Sequence, residues 1–145
     1  MKKQIESLNL YLANLSVLNT KLHNLHWNVT GKNFEQVHLF LEKLYDDVFE
    51  KTDEVAERIK MLGSFPFASL KEYLNVATIQ ERSSEDISVK ETISLVLDDY
   101  RALVAEIKAL RLLAIEQDDF VTVALLESHV SGFEKTIWFL TQMQK

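Results

Sequence analysis

His26 and His38 stand twelve residues apart, and Asp53 and Glu57 stand four apart. These four side chains are the ones whose types and spacing could do metal chemistry. Imidazole with carboxylate suits Fe(II), Mn(II) or Zn(II). A site with few protein ligands and open positions suits redox turnover rather than a closed structural role. Carboxylates favour Fe(III) over Fe(II), which promotes oxidation of bound ferrous ion. On a helix Asp53 and Glu57 are one turn apart, close enough for two carboxylates to hold one or two cations. If Phe34 to Met61 is one helix, however, His38 and Asp53 are about 22 Å apart along its axis. No ion spans that gap inside one chain. Two copies packed antiparallel along this helix would close it, each bringing its acids to the other's histidines. The pattern therefore points to a metal site at a subunit interface.

A helical wheel adds a fifth residue. With His38 at zero and ~100° per residue, Glu42 falls at about 40°, Asp53 at about 60°, Asp46 at about 80° and Glu57 at about 100°. These polar groups share one stripe. His26 lies in the last turn of the preceding helical segment, and a short reversal would bring it to the His38 end. Each residue alone also has an ordinary explanation. Acid pairs one turn apart are common on solvated helices, and a histidine beside a tryptophan at a helix end commonly packs or caps. His23 and His129 lack companions of the right kind and read as surface or core histidines.

The elements that must position these residues are helical. The 145 residues suit one domain, and 47% hydrophobic content can fill a core. Three Gly and one Pro are too few for the turns of a β protein. The absence of Cys excludes disulfides, Fe–S clusters and thiolate zinc sites, and leaves His, Asp and Glu as the strong ligands. The start, Met1 to Glu6, lacks the apolar core of a signal peptide, and no apolar run approaches the ~20 residues of a membrane span. A cytoplasmic protein without a membrane partner is expected. The net charge of −6 repels phosphate backbones and attracts cations.

Apolar residues recur at helical spacing in four long segments. The first runs from about Lys3 to Asn28, with Ile5, Leu8, Leu12, Leu15, Leu22 and Leu25. Gly31 suits a left-handed turn and Asn33 an N-cap. The second runs from about Phe34 to Met61, with Val37, Leu41, Leu44, Val48, Val55 and Ile59, ended by Gly63 and Pro66. The third runs from about Val89 to Ile115 and the fourth from about Asp119 to Met143. Between the second and third lies a long connection with a short helix begun by a Ser69 cap, then a polar, exposed stretch from Gln80 to Ser88. A connection this long can cross the bundle's length and make segments two and three parallel. An all-α four-helix bundle over residues 1–145 is the economical fold.

The same residues carry a family resemblance. The turn "KLHNLHWNVTGKNF", the histidine twelve positions after His26, and "DEVAERI" match in order and spacing the signature of the Dps family, the miniferritins or DNA-binding proteins from starved cells. The likeness is strong from Lys21 to Ala77, and "EKTIWFL" is similar to that family's last helix. The resemblance implies a ferritin-like four-helix bundle with a short extra helix between helices two and three. It implies a hollow shell of twelve subunits with a ferroxidase site shared across a two-fold axis. His26 and His38 would come from one subunit, Asp53 and Glu57 from its partner. Glu42 stands where the family often has Asp, keeping the charge on a longer side chain. Trp27 would accept electrons or quench radicals, or pack at the interface; Tyr45 is a further aromatic nearby.

The implied chemistry is oxidation of Fe(II) by hydrogen peroxide, or more slowly dioxygen, with ferric mineral stored inside the shell. Ferritins that hold iron within one bundle use paired Glu-x-x-His motifs. Here only His38 has an acid three positions before it, Glu35, with no matching second copy. Family members line a three-fold pore with acids near the start of the last helix; Asp118, Asp119 and Glu127 lie nearby, but Val121 to Leu126 is apolar, so no pore residue is assigned and Glu127 is singled out without support. The alternative is a nucleoid-associated protein that coats DNA with little iron turnover. Only Lys2 and Lys3 precede the first helix, in place of the family's long basic tail. Twelve copies would carry about −72 formal charge, twelve times −6, and should bind DNA poorly at physiological salt. A third reading is an inert helical interaction module.

Overall fold

The structure is a computed structural model that describes residues 1–145. Helix α1 spans Lys2–Asn28, strand β1 Val29–Thr30, α2 Phe34–Met61, α3 Leu70–Val76, β2 Ile87–Ser88, α4 Val89–Glu116 and α5 Phe120–Met143. The four long helices form a bundle, with α1 packed on α2 and α4, and α4 on α5. Their apolar stripes meet in one core that includes Leu8, Leu15, Leu22, Val48, Val55, Ile107 and Phe133. No helix is long and apolar enough to cross a membrane.

The reversal between α1 and α2 sets the first half of the site. Gly31 (φ +110°) and Asn33 (φ +68°) both take left-handed conformations, and Phe34 N–H donates to Gly31 O at 3.1 Å. Asn33 occupies the N-cap position but its side chain caps nothing. This corrects the expected cap: side-chain capping needs an extended backbone at that residue, and Asn33 has spent its conformation on the turn. Ser69, Ser88 and Asp119 do cap, accepting from the backbone N–H of Glu72, Glu91 and Thr122.

The long connection crosses the bundle. β1 and β2 pair in parallel, Val29 beside Ile87 and Thr30 beside Ser88. The start of α4 therefore lies beside the end of α1 and the start of α2, so α2 and α4 run parallel. Part of the stretch expected to be exposed is not: Ile87 is buried against the core. Three asparagines of α1 hold the connection along its course. Asn9 accepts from Phe67 N–H at 2.8 Å and donates to Phe65 O at 3.3 Å. Asn14 accepts from the N–H groups of Thr78 (2.8 Å) and Ile79 (3.1 Å). Asn24 donates to the carbonyls of Arg82 and Ser83. These bonds satisfy backbone groups that an irregular segment cannot satisfy itself.

Candidate metal centre

Helix α1 ends and α2 begins so that His26 and His38 face each other. Their rings stack at 3.6 Å between centroids, 13° from parallel. His26 Nδ1–H donates to His38 O at 2.7 Å, and His38 Nδ1–H donates to His26 O at 2.7 Å. A carbonyl only accepts, so both Nδ1 atoms carry protons. In the neutral rings both Nε2 atoms then bear free lone pairs, the state a metal ligand needs. His26 is buried and His38 half-buried.

Aromatic rings surround this pair. Tyr45 meets His26 edge-on at 5.2 Å and stacks on His23 at 3.8 Å, and Trp27 lies 5.6 Å from the His23 ring. The Tyr45 hydroxyl donates to Glu42 Oε1 at 3.4 Å. Burial, and then the Glu42 carboxylate, raise the Tyr45 pKa.

Asp53 and Glu57 lie far along the unbroken α2, both exposed. A hydrogen bond with Asp53, and then its charge, raise the pKa of the Glu57 carboxyl. Two carboxylates this close repel unless they share a proton or a cation. Within one chain, no three His, Asp or Glu side chains gather closely enough to hold an ion. The structure thus joins His26 to His38 and Asp53 to Glu57, and leaves the two pairs apart. Glu42 points outward on the same α2 stripe. On the helical wheel Phe49 falls at about 20°, in the middle of that polar stripe, and it is 70% exposed.

A family model, that of the ferritin-like domain, matches residues 5–145. The chain is 41% identical over 133 residues to the DNA protection during starvation protein of Brevibacillus brevis, covering 92% of this chain and 89% of that one. The chain belongs to the Dps family. Its fold is the ferritin-like bundle expected, with the short α3 between the long helices. The structure of a Dps protein from Bacillus brevis superposes with a TM-score of 0.96 at 38% identity, covering 99% of this chain and 96% of that one. A Dps protein from Vibrio cholerae O1, a member of a broad superfamily of ferritin-like diiron-carboxylate proteins, superposes with a TM-score of 0.95 at 33% identity over 99% of this chain and 90% of that one.

Against this Dps frame, two acids considered for a pore are otherwise engaged. Glu127 pairs with Arg111 at 2.6 Å. Asp119 accepts from Arg58 at 2.7 Å and from Gln4 at 2.7 Å. Burial pushes the Asp119 pKa up, but its bonds from Thr122, Gln4 and Arg58 outweigh this and hold it below the usual value. Sequence reasoning also left His129 without companions. It is buried in the bundle, with Nδ1 2.8 Å from the Tyr11 hydroxyl and Nε2 3.6 Å from Glu54 Oε1. Its position one turn from Phe133, on the apolar face of α5, was the available signal.

Proposed function

We propose that this Dps chain oxidises Fe(II) at a site shared by two-fold-related subunits and stores the ferric product in a hollow shell of twelve. The observation that carries this reading is the reciprocal bonding of His26 and His38, which frees both Nε2 atoms. Asp53 and Glu57 of the neighbouring copy complete the set, and Glu42, one turn after His38 on α2, is a further candidate carboxylate. The exposed Phe49 among the acids of α2 supports a covered face, since a large apolar ring in water on a polar stripe is the mark of an interface.

Iron is the substrate here, and the residues act on it in simple ways. The hydrogen bond with Asp53 and its charge raise the Glu57 pKa, and a cation held between the two carboxylates would relieve their repulsion. Hydrogen peroxide is the proposed oxidant: two ferrous ions each give one electron to one peroxide molecule, yielding two hydroxides. The pairing avoids release of hydroxyl radical, which accords with a protective role like the one named for the Brevibacillus brevis relative.

The test is direct. Loading with Fe(II) and peroxide should give a soluble mineralised particle. His26→Ala with His38→Ala should slow Fe(II) oxidation by on the order of 100-fold or more while the oligomer keeps its size by gel filtration. An unchanged rate in that double variant would remove these histidines from the chemistry.

A further inference from the structure

Tyr11 and Tyr100 are both wholly buried, yet they differ in their partners. The Tyr100 hydroxyl has no hydrogen bond. The Tyr11 hydroxyl has one, 2.8 Å from His129 Nδ1. In the tautomer with Nδ1 bare, the phenol donates along this bond to a basic ring nitrogen. In that tautomer the ring proton sits on Nε2, which makes no hydrogen bond and lies 3.6 Å from Glu54 Oε1. Phenol and imidazole are thus bonded between α1 and α5, and the Glu54 carboxylate of α2 is the next polar group towards the surface, near the ring but not bonded to it. Glu54 follows Asp53 in the chain and, with Glu57, lines a cavity of about 260 Å³ between α2 and α5. This carboxylate therefore opens on the pocket that holds one of the candidate iron ligands.

Such a bonded pair has a definite chemistry. A phenol that loses one electron becomes a strong acid and must shed its proton. Tyr11 cannot release it to water, and burial raises its pKa well above the usual value, with the charges of Glu106, Asp47 and Glu54 adding to the effect. His129 offers a base along an existing bond. Burial, and then the nearby Lys51 ammonium, lower its pKa to about 4, so the ring is neutral and ready at pH 7. Tyr100, equally buried, has no such base.

We propose that Tyr11 and His129 are an internal proton-coupled redox pair that takes up single oxidising equivalents escaping from the carboxylates at its surface end. Such equivalents arise when one Fe(II), unpaired with a second, reduces peroxide to hydroxide and a hydroxyl radical. That radical takes one electron from Tyr11 and becomes hydroxide; the phenol proton moves to His129 Nδ1, leaving a neutral tyrosyl radical and an imidazolium. A later Fe(II) returns the electron, becoming Fe(III), and the proton goes back to the phenol oxygen. This source of oxidant rests on the iron-oxidising reading above; the redox behaviour of the pair does not.

The experiment uses the assembled, iron-free protein and a photogenerated oxidant, a flashed ruthenium polypyridyl complex with persulfate, read by electron paramagnetic resonance. The wild type should give a neutral tyrosyl signal. Tyr11→Phe should lower its yield about tenfold, and Tyr100→Phe should leave it unchanged. His129→Gln keeps a hydrogen-bond acceptor for the phenol but supplies no base, so it should lower the yield by about the same factor even where the thermal midpoint is retained. An undiminished signal in Tyr11→Phe, or in His129→Gln should Tyr11→Phe not assemble, overturns the proposal. Because no iron is present, that result leaves the ferroxidase reading standing, and a failure of iron oxidation leaves this one standing.

Discussion

Two backbone carbonyls decide which nitrogens of His26 and His38 face outward. Each accepts an Nδ1–H at 2.7 Å, so neither ring can turn without breaking a bond and exposing a carbonyl near a helix end. Both Nε2 atoms are thereby fixed in place, which would reduce the ordering cost of binding a metal under the proposed function. His129 shows the opposite use of an imidazole. Its pKa falls from 6.5 unfolded to about 4 folded, so the folded state resists protonation. Its neutral form contributes fully above pH 6.5, and that stability is lost as pH falls from 6.5 towards 4. The full loss is on the order of 3 kcal/mol. Chemical denaturation at a series of pH values should show a steeper loss over that window in the wild type than in His129→Gln; matching slopes would mean that the ring does not govern it. That His26 and His38 meet was legible, because a short reversal between two helical segments brings the end of one to the start of the next. His129 was not, because a histidine at an apolar register shows its meaning only once Tyr11, more than a hundred residues away, lies against it.

The four long helices were legible because their apolar residues keep helical period throughout, and their ends fell within a residue or two of those expected. The tie between α1 and the crossing connection was not. Asn9, Asn14 and Asn24 look like unfavourable helix residues in sequence, and their partners lie 56 to 65 residues on. Nothing local marks them. Their bonds carry a large share of the connection's order, since α3 itself has no buried residue. Asn14 is central: it receives two backbone N–H groups and donates to Glu106 Oε2 at 2.8 Å. Asn14→Ala should cost about 3 kcal/mol, because it strands the Thr78 and Ile79 amides as well as a half-buried carboxylate. Hydrogen exchange at those two amides should speed up more than exchange in α2. Equal protection in variant and wild type would show that the connection is held elsewhere. The β1–β2 pairing was equally hidden, since two residues per strand leave no periodic pattern.

The whole molecule is acidic and carries large apolar side chains in water. Phe49, Trp27 and Phe120 are each at least 70% exposed in the single chain. Such residues suit burial between copies, as the proposed shell requires. A shell of twelve would carry a strongly negative surface. In a gel shift at physiological salt the assembled protein should leave duplex DNA unshifted, while added Mg(II) can bridge the two. Tight binding without divalent ions would favour the DNA-coating reading instead.

Under the proposed function each site draws histidines from one subunit and acids from another. Complementation tests it most directly. One variant carries His26→Ala with His38→Ala, the other Asp53→Ala with Glu57→Ala, and each assembled alone should be nearly inactive in Fe(II) oxidation. When the two are unfolded, mixed equally and reassembled, half the pairs are mixed and each mixed pair holds one intact site of two. About a quarter of wild-type activity should therefore return. A mixture no more active than its parents would place all four residues in the service of a single chain and contradict the shared site.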